Sequence, residues 1–279
     1  MKIALIYDFD GTLSPGNMQE YDFIPAVGKK NEEFWRRSTQ LAVDNDADPI
    51  LTYLWEMISN ATHSGLSLRR EAFQQSGRNV EFFEGVEQWF DRINNYAADK
   101  NIEIEHYINS SGIKEMIEGT SIAHNFKKIY ACSFLYNVDG VAYWPASAVN
   151  YTNKTQFIFK INKGIESVSD DKKINQFIPL NDRRIPFENM IYIGDGTTDI
   201  PCMRLVKEKH GHSIAVYNPK MENDAKTLAD IENLVADKRV NFISPADYTE
   251  NGKLDRIVKN VIDKIVTDNA LQKLKINSK

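Results

Sequence analysis

Lys2-Ile-Ala-Leu-Ile-Tyr-Asp8-Phe-Asp10-Gly11-Thr12 is a short apolar run that stops at two aspartates, followed by Gly and Thr. Side chains alternate faces along a strand, so an extended chain carried on through Asp10 sends both carboxylates to the same side. Neighbouring anions repel unless a divalent cation or a shared proton offsets the repulsion. Gly11 permits a turn, and Thr12 offers a hydroxyl and a backbone N–H at that turn. The pattern suits a Mg²⁺ site with a carboxylate nucleophile.

Working outward, residues 2–8 read as a buried strand and 13–16 as a loop. From about 18 to 80 the pattern turns helical, with Phe34, Trp35, Tyr53, Leu54 and Trp55 among polar residues. Asp44-Asn-Asp46-Ala-Asp48-Pro49 reads as a linker into a helix, with Pro49 in its first turn. Strands and helices then alternate. Residues 85–98 predict a helix, Ile102–Ile108 a strand, and Ile113–Ile117 the opening of a helix. Phe134 to Trp144 predicts a hairpin turning at Asp139-Gly140, and a helix follows from about 154 to 168. Met190–Ile193 is a short buried strand; Ser213–Tyr217 and Val240–Ile243 are further strands, with helices near 222–234 and 253–268 and a frayed tail from Lys273. This alternation predicts an α/β fold, doubly wound, with a mainly parallel sheet and helices on both faces.

The chain of 279 residues is long enough for a sizeable core. A net charge of −5 argues against nucleic acid or a membrane surface as partner. No apolar run reaches transmembrane length, and the N-terminal run meets Asp8 too soon for a signal peptide. Cys132 and Cys202 lie far apart, imply no disulfide framework and fit a reducing cytoplasm as buried small residues. The oligomeric state is not legible.

Ligands of open α/β sheets bind outside the C-terminal strand ends. Beside Asp8 and Asp10, a second predicted strand ends Asn109-Ser110-Ser111-Gly112, with hydroxyls and turn N–H groups next to a helix start, a place that favours phosphate oxygens. A third ends Gly194-Asp195-Gly196-Thr197-Thr198-Asp199. Asn153-Lys154-Thr155 opens a helix and can set a positive charge against the phosphate and the nucleophile. Ser111 competes with Ser110 for the hydroxyl role; Lys160 and Lys163 lie deeper in the Lys154 helix, on what reads as its solvated face. Thr197 and Thr198 read as turn and cap residues, and His210-Gly-His212 lacks a partner at ligand spacing. In the helical stretch, Glu20, Arg36, Arg37, Arg69 and Arg70 are the charged candidates for touching a substrate.

Asp8-Phe-Asp10-Gly-Thr12, Ser110, Lys154 and Gly194-Asp195-Gly196-x-x-Asp199, in this order, resemble the haloacid dehalogenase superfamily of aspartyl-phosphate hydrolases, and most closely its phosphoserine-phosphatase-like branch. The resemblance implies a Rossmann-like core over residues 1–16 and 83–279 with a helical cap inserted at 17–82. It implies that Asp8 attacks phosphorus, that Asp10 is the acid and base, and that Mg²⁺ is held by Asp8, the Asp10 backbone carbonyl and Asp195. Thr12, Ser110, Ser111 and Lys154 then hold the phosphate, with Asp199 supporting Lys154 or a metal-bound water. The implied activity is a Mg²⁺-dependent phosphatase acting on a small phosphorylated metabolite. Dehalogenases of the superfamily lack the Asp10 equivalent. Phosphoserine phosphatases carry a Glu where this chain has Asn17, so phosphoserine itself is not assigned. The rival readings are a phosphotransferase using the same aspartyl phosphate, separable by product analysis with an alcohol acceptor, and a phosphorylatable receiver or binding protein without turnover.

Overall fold

A computed structural model describes residues 1–196, 198–221, 224, 229 and 233–276. The strand β1 (Lys2–Tyr7) sits at the centre of a seven-stranded sheet that also holds β2 (Glu103–Ile113), β3 (Phe126–Tyr136), β4 (Ala142–Ser147), β5 (Met190–Gly194), β6 (His212–Tyr217) and β7 (Phe242–Pro245). The order is β4-β3-β2-β1-β5-β6-β7, with β4 antiparallel to β3 and every other neighbour parallel. Ile3 to Tyr7 are all fully buried, as a strand covered on both faces requires.

The helices are α1 (Phe23–Ala26), α2 (Asn31–Asn45), α3 (Pro49–Ser64), α4 (Arg70–Gly77), α5 (Val86–Ala98), α6 (Lys114–Gly119), α7 (Lys154–Lys163), α8 (Asp171–Asn175), α9 (Ile200–Glu208) and α10 (Lys253–Ile276). Residue parity assigns them to faces. His106 on β2 bonds Asn94 of α5, whereas Asn109, three residues on and pointing the other way, bonds the Lys154 carbonyl of α7 and the Cys202 thiol of α9. So α5, which packs on α10, covers one face, and α7 and α9, which pack on each other, cover the opposite face. None of the described helices is long and apolar enough to cross a membrane.

Between β1 and α5 the chain is helical. Asp48 caps α3 by accepting from the Ile50 and Leu51 N–H groups, with Pro49 in the first turn. α2 packs on α3, and α4 packs on α6 so closely that a Cβ on Gly77 would stand 1.9 Å from the Met116 carbonyl. Buried residues of this stretch, among them Phe34, Leu54, Met57 and Phe73, belong to the same apolar cluster as the sheet.

Several elements differ from the sequence expectation. The helix from Lys154 stops at Lys163, because Gly164 takes a left-handed φ of +72° and closes the helix with its N–H on the Ile161 carbonyl. β2 does not end at Ser110–Gly112 but runs to Ile113. Its pairing moves from Asn109↔Tyr130 to Ile113↔Cys132, so Ser110, Ser111 and Gly112 form a bulge. The first strand ends at Tyr7, one residue before Asp8. The hairpin turn spans 137–141, with Gly140 at φ +73° and the Asn137 side chain accepting from the Asp139 and Val141 N–H groups. The strand expected at Val240–Ile243 is Phe242–Pro245, and the last helix continues to Ile276 through part of the tail expected to fray. Most of the helix expected near 222–234 lies outside the described residues, as does Thr197.

Candidate active site

Three parallel strands end side by side in the order β2-β1-β5, and each delivers one of the expected motifs. Asp8 follows β1 directly; its N–H donates to the Ile193 carbonyl of β5 at 3.0 Å and its Oδ1 accepts from the Phe9 N–H at 2.7 Å. That fixes the carboxylate over the α7/α9 face. There Asp8 Oδ2 accepts from the Lys154 ammonium at 2.8 Å, and Asp199 Oδ1 accepts from the same ammonium at 2.8 Å.

Lys154 is fully buried in the first turn of α7, where the helix dipole disfavours a cation. The turn before it is built for that entry. Asn150 takes the N–H groups of Thr152 and Asn153 on its side chain, and its carbonyl accepts the Lys154 N–H. Burial lowers the ammonium's proton affinity, but Asp199 and Asp8 outweigh it and hold Lys154 above the ordinary lysine range. Asp199 enters at the start of α9 and is fully buried. Its Oδ1 also accepts from the Tyr192 hydroxyl at 2.6 Å, while its Oδ2 has no hydrogen-bond partner among the described residues.

Asp195 brings its Oδ2 against the Gly11 backbone, where a Cβ would stand 2.2 Å from it; Gly11 also needs its φ of +73°. Much of the Asp195 residue is exposed, but its carboxylate is packed among protein atoms, and that desolvation, together with Asp8, pushes it up to about 7. Asp10 points elsewhere. Its Oδ1 accepts from the Met18 N–H at 2.9 Å, and its Oδ2 lies 3.2 Å from where a Gly112 Cβ would be. Burial, with Asp8 adding to it, raises the Asp10 carboxyl well above the usual range.

Ser110 is buried, and its Oγ accepts from the Gly112 N–H at 3.0 Å. The Ser111 hydroxyl is buried without a partner among the described residues, as is the Thr12 hydroxyl. The Thr12 N–H, offered at the turn, is taken by the Phe9 carbonyl at 3.2 Å. Of the charged candidates in the helical stretch, Arg37 pairs with Glu56, and Arg70 pairs with Glu115 and Glu118 while stacking on Tyr136. Glu20 takes neutral donors instead, Asn17 at 2.7 Å and the Trp35 indole at 2.6 Å.

Asp8, Asp195 and Asp199 each place a carboxylate oxygen within 4.8 Å of the others. With Asp10 close enough to interact, these acids share the Lys154 ammonium as their cation among the described residues. An excess of negative charge, hard oxygen donors and the orphaned Asp199 Oδ2 together fit a hard divalent cation such as Mg²⁺. The sequence reading included Asp10 among the metal ligands through its backbone carbonyl; its side chain is not in the carboxylate trio, and Asp199 is.

The sequence reading missed Tyr192. Its signal was there: a tyrosine inside an otherwise aliphatic buried strand needs a hydrogen-bond partner for its hydroxyl. Met18 was missed as well. Its Sδ accepts from the Ile113 N–H at 3.2 Å, and its methyl fills the space that Gly112 leaves open.

Residues 5–204 match the family described as haloacid dehalogenase-like hydrolase. An uncharacterized protein of Borreliella burgdorferi is 32% identical over 285 residues, which cover 90% of this chain and 93% of that protein. The fold is similar to that of phosphoserine phosphatase in apo form, at 16% identity and a TM-score of 0.55, covering 93% of this chain and 98% of the other. It is also similar to a phospho-aspartyl intermediate analogue of phosphoserine phosphatase (15% identity, TM-score 0.52, 93% and 98% covered). A third likeness is to a HAD family hydrolase of Salmonella enterica serovar Typhi (14% identity, TM-score 0.52, 92% and 69% covered).

Proposed function

The chain belongs to the haloacid dehalogenase-like hydrolases, and from that premise we propose that it is a Mg²⁺-dependent phosphatase hydrolysing a small phosphomonoester through an aspartyl phosphate on Asp8. The observation that carries this reading is the meeting of Asp8, Asp195, Asp199 and Lys154, from three separate segments, beside the ends of the central strands β1 and β5.

Asp8, Asp195 and the Asp10 backbone carbonyl would hold Mg²⁺, with the Asp199 carboxylate beside them. Bound there, the ion offsets the repulsion between an anionic nucleophile and an anionic phosphate. The chain's own groups divide the rest of the work. An Asp8 carboxylate oxygen attacks phosphorus, and the bond to the alcohol oxygen breaks. Asp10, its proton affinity raised by burial and its side chain turned toward Met18, gives its proton to that oxygen. It then takes a proton from the water that opens the aspartyl phosphate. Lys154 neutralises phosphoryl oxygens, and Tyr192 holds Asp199, which holds Lys154. The hydroxyls of Ser110, Ser111 and Thr12 are donors for phosphoryl oxygens, and those of Ser111 and Thr12 have no other described partner. Residues 17–82 act as a cap that shields the aspartyl phosphate from bulk water and selects the substrate.

Turnover of p-nitrophenyl phosphate with Mg²⁺ tests the reading. It is expected in the wild type, to vanish in Asp8→Asn, and to be lost reversibly on chelation. Mg²⁺ should raise the thermal midpoint of the wild type but not that of Asp195→Asn. Full activity in Asp8→Asn would overturn the nucleophile assignment.

A further inference from the structure

Tyr53 belongs to the helical insertion, on α3, yet its hydroxyl donates to the Ser111 carbonyl in the β2 bulge at 2.5 Å. The same carbonyl accepts from the Cys132 thiol of β3 at 3.3 Å. Ser111 therefore has its carbonyl oxygen pinned by donors from two separate elements. A trans peptide is rigid and planar, with its C=O and N–H pointing in opposite directions. Fixing the Ser111 carbonyl thus aims the N–H of Gly112 the other way, and that N–H donates to Ser110 Oγ at 3.0 Å. A serine hydroxyl that accepts a hydrogen bond keeps its own O–H free to donate. The bonds form one line, from the Tyr53 hydroxyl through the 111–112 peptide to the Ser110 hydroxyl.

The Tyr53 ring is itself held. It is buried and meets Trp35 edge to face with centroids 5.8 Å apart, and Trp35 is tied by its indole N–H to Glu20. At the N-cap of the same helix, the Asp48 carboxylate accepts from the Asn150 amide at 2.6 Å, in the loop that leads into Lys154. One helix of the insertion therefore grips both segments assigned to the phosphate.

We propose that Tyr53 is a positioning residue for phosphoryl binding. Through the 111–112 peptide it orients the Ser110 hydroxyl, and so makes the phosphate cradle depend on the seating of the helical insertion. This rests on the phosphatase reading above. Tyr53 touches no reacting atom; its effect passes through Ser110.

The test is Tyr53→Phe, which removes one oxygen and keeps the ring packed against Trp35. With p-nitrophenyl phosphate and Mg²⁺, kcat/KM should fall about tenfold, the size of one lost hydrogen bond of about 1.4 kcal/mol. The inhibition constant of inorganic phosphate should rise by about the same factor, with the urea unfolding slope unchanged. A double-mutant cycle with Ser110→Ala separates positioning from packing. In the Ser110→Ala background, Tyr53→Phe should change both constants by less than about twofold, since the group it orients is gone. A merely structural role predicts additive losses instead. Additive losses, or a Tyr53→Phe enzyme indistinguishable from wild type, overturn the proposal while the phosphatase reading stands, provided Asp8→Asn remains inactive. A wild-type protein that neither turns over the ester nor binds inorganic phosphate overturns both.

Discussion

The Lys154 ammonium lies 2.8 Å from the Asp8 carboxylate, although 146 positions separate them in the chain. Each offsets part of the other's burial cost, with Asp199 as the second partner of the ammonium. A fully buried cation at the positive end of a helix needs anions, and a carboxylate packed among other carboxylates needs a cation.

Lys154→Met should therefore damage both folding and turnover. It leaves Asp8 and Asp199 buried with their cation removed, and losing one partner of a buried ion pair costs about 3–5 kcal/mol. Urea unfolding in the presence of a chelator reads that loss. Adding Asp199→Asn should recover part of the stability by removing an unpaired charge, but no turnover. Wild-type stability in Lys154→Met would show that the ammonium is not the counter-charge of this cluster.

Tyr192→Phe should act more mildly. Asp199 Oδ1 loses the hydroxyl at 2.6 Å but keeps the Lys154 ammonium. A stability loss of about 1–3 kcal/mol is expected, the penalty for leaving a buried acceptor short of a donor. Turnover of p-nitrophenyl phosphate should fall further than it does in a substitution of an exposed tyrosine such as Tyr143→Phe.

Gly77→Ala tests the contact between α4 and α6. Its added methyl would stand 1.9 Å from the Met116 carbonyl, which is backbone and cannot rotate away. Overpacking of this kind costs about 1–3 kcal/mol or more, and the helices must separate to admit it. Circular dichroism melting should show a lowered midpoint. An unshifted midpoint would mean that α4 does not seat on α6 as described.

His106 makes the fold acid-sensitive. It is buried between the Tyr7 hydroxyl at 3.0 Å and Asn94 at 3.0 Å, and desolvation lowers its pKa from 6.5 to about 3. Between those two values the unfolded chain binds the proton and the folded one does not, so stability falls as the pH drops below about 6.5. The loss from this one group reaches about 2 kcal/mol by pH 5. His106→Gln should flatten that part of the curve of unfolding free energy against pH. An equally steep curve in the variant would assign the acid sensitivity to other groups.

The sheet was legible because its signals are local. Apolar runs such as Lys2–Tyr7 and Met190–Gly194 are short, aliphatic and end in polar turns, and each forms a strand of the parallel sheet. The Pro49 helix start was legible for the same reason, since its cap lies within three residues. The ends of elements were harder. Gly164 stops α7 early; Lys160 and Lys163 in the last turn and the glycine after them signal a C-terminus, which the expectation of a helix to about 168 passed over. The bulge at Ser110–Gly112 depends on where β3 pairs, which is a property of two strands and not of one.

The sequence by itself determined which chemical groups this protein has to work with and placed most of them at element ends: Asp8, Asp10 and Asp195 follow strands and Lys154 and Asp199 stand at helix starts, whereas Ser110, read as a strand end, lies inside β2 in its bulge. Only the tertiary structure decided which of them share an environment. It turned Asp10 toward Met18, gave Asp199 the Tyr192 hydroxyl, and brought Tyr53 of α3 onto Ser111. Periodicity and capping act over a few residues, so a sequence carries them openly. Burial, desolvation and hydrogen-bond partnership between distant segments exist only once the chain has closed on itself.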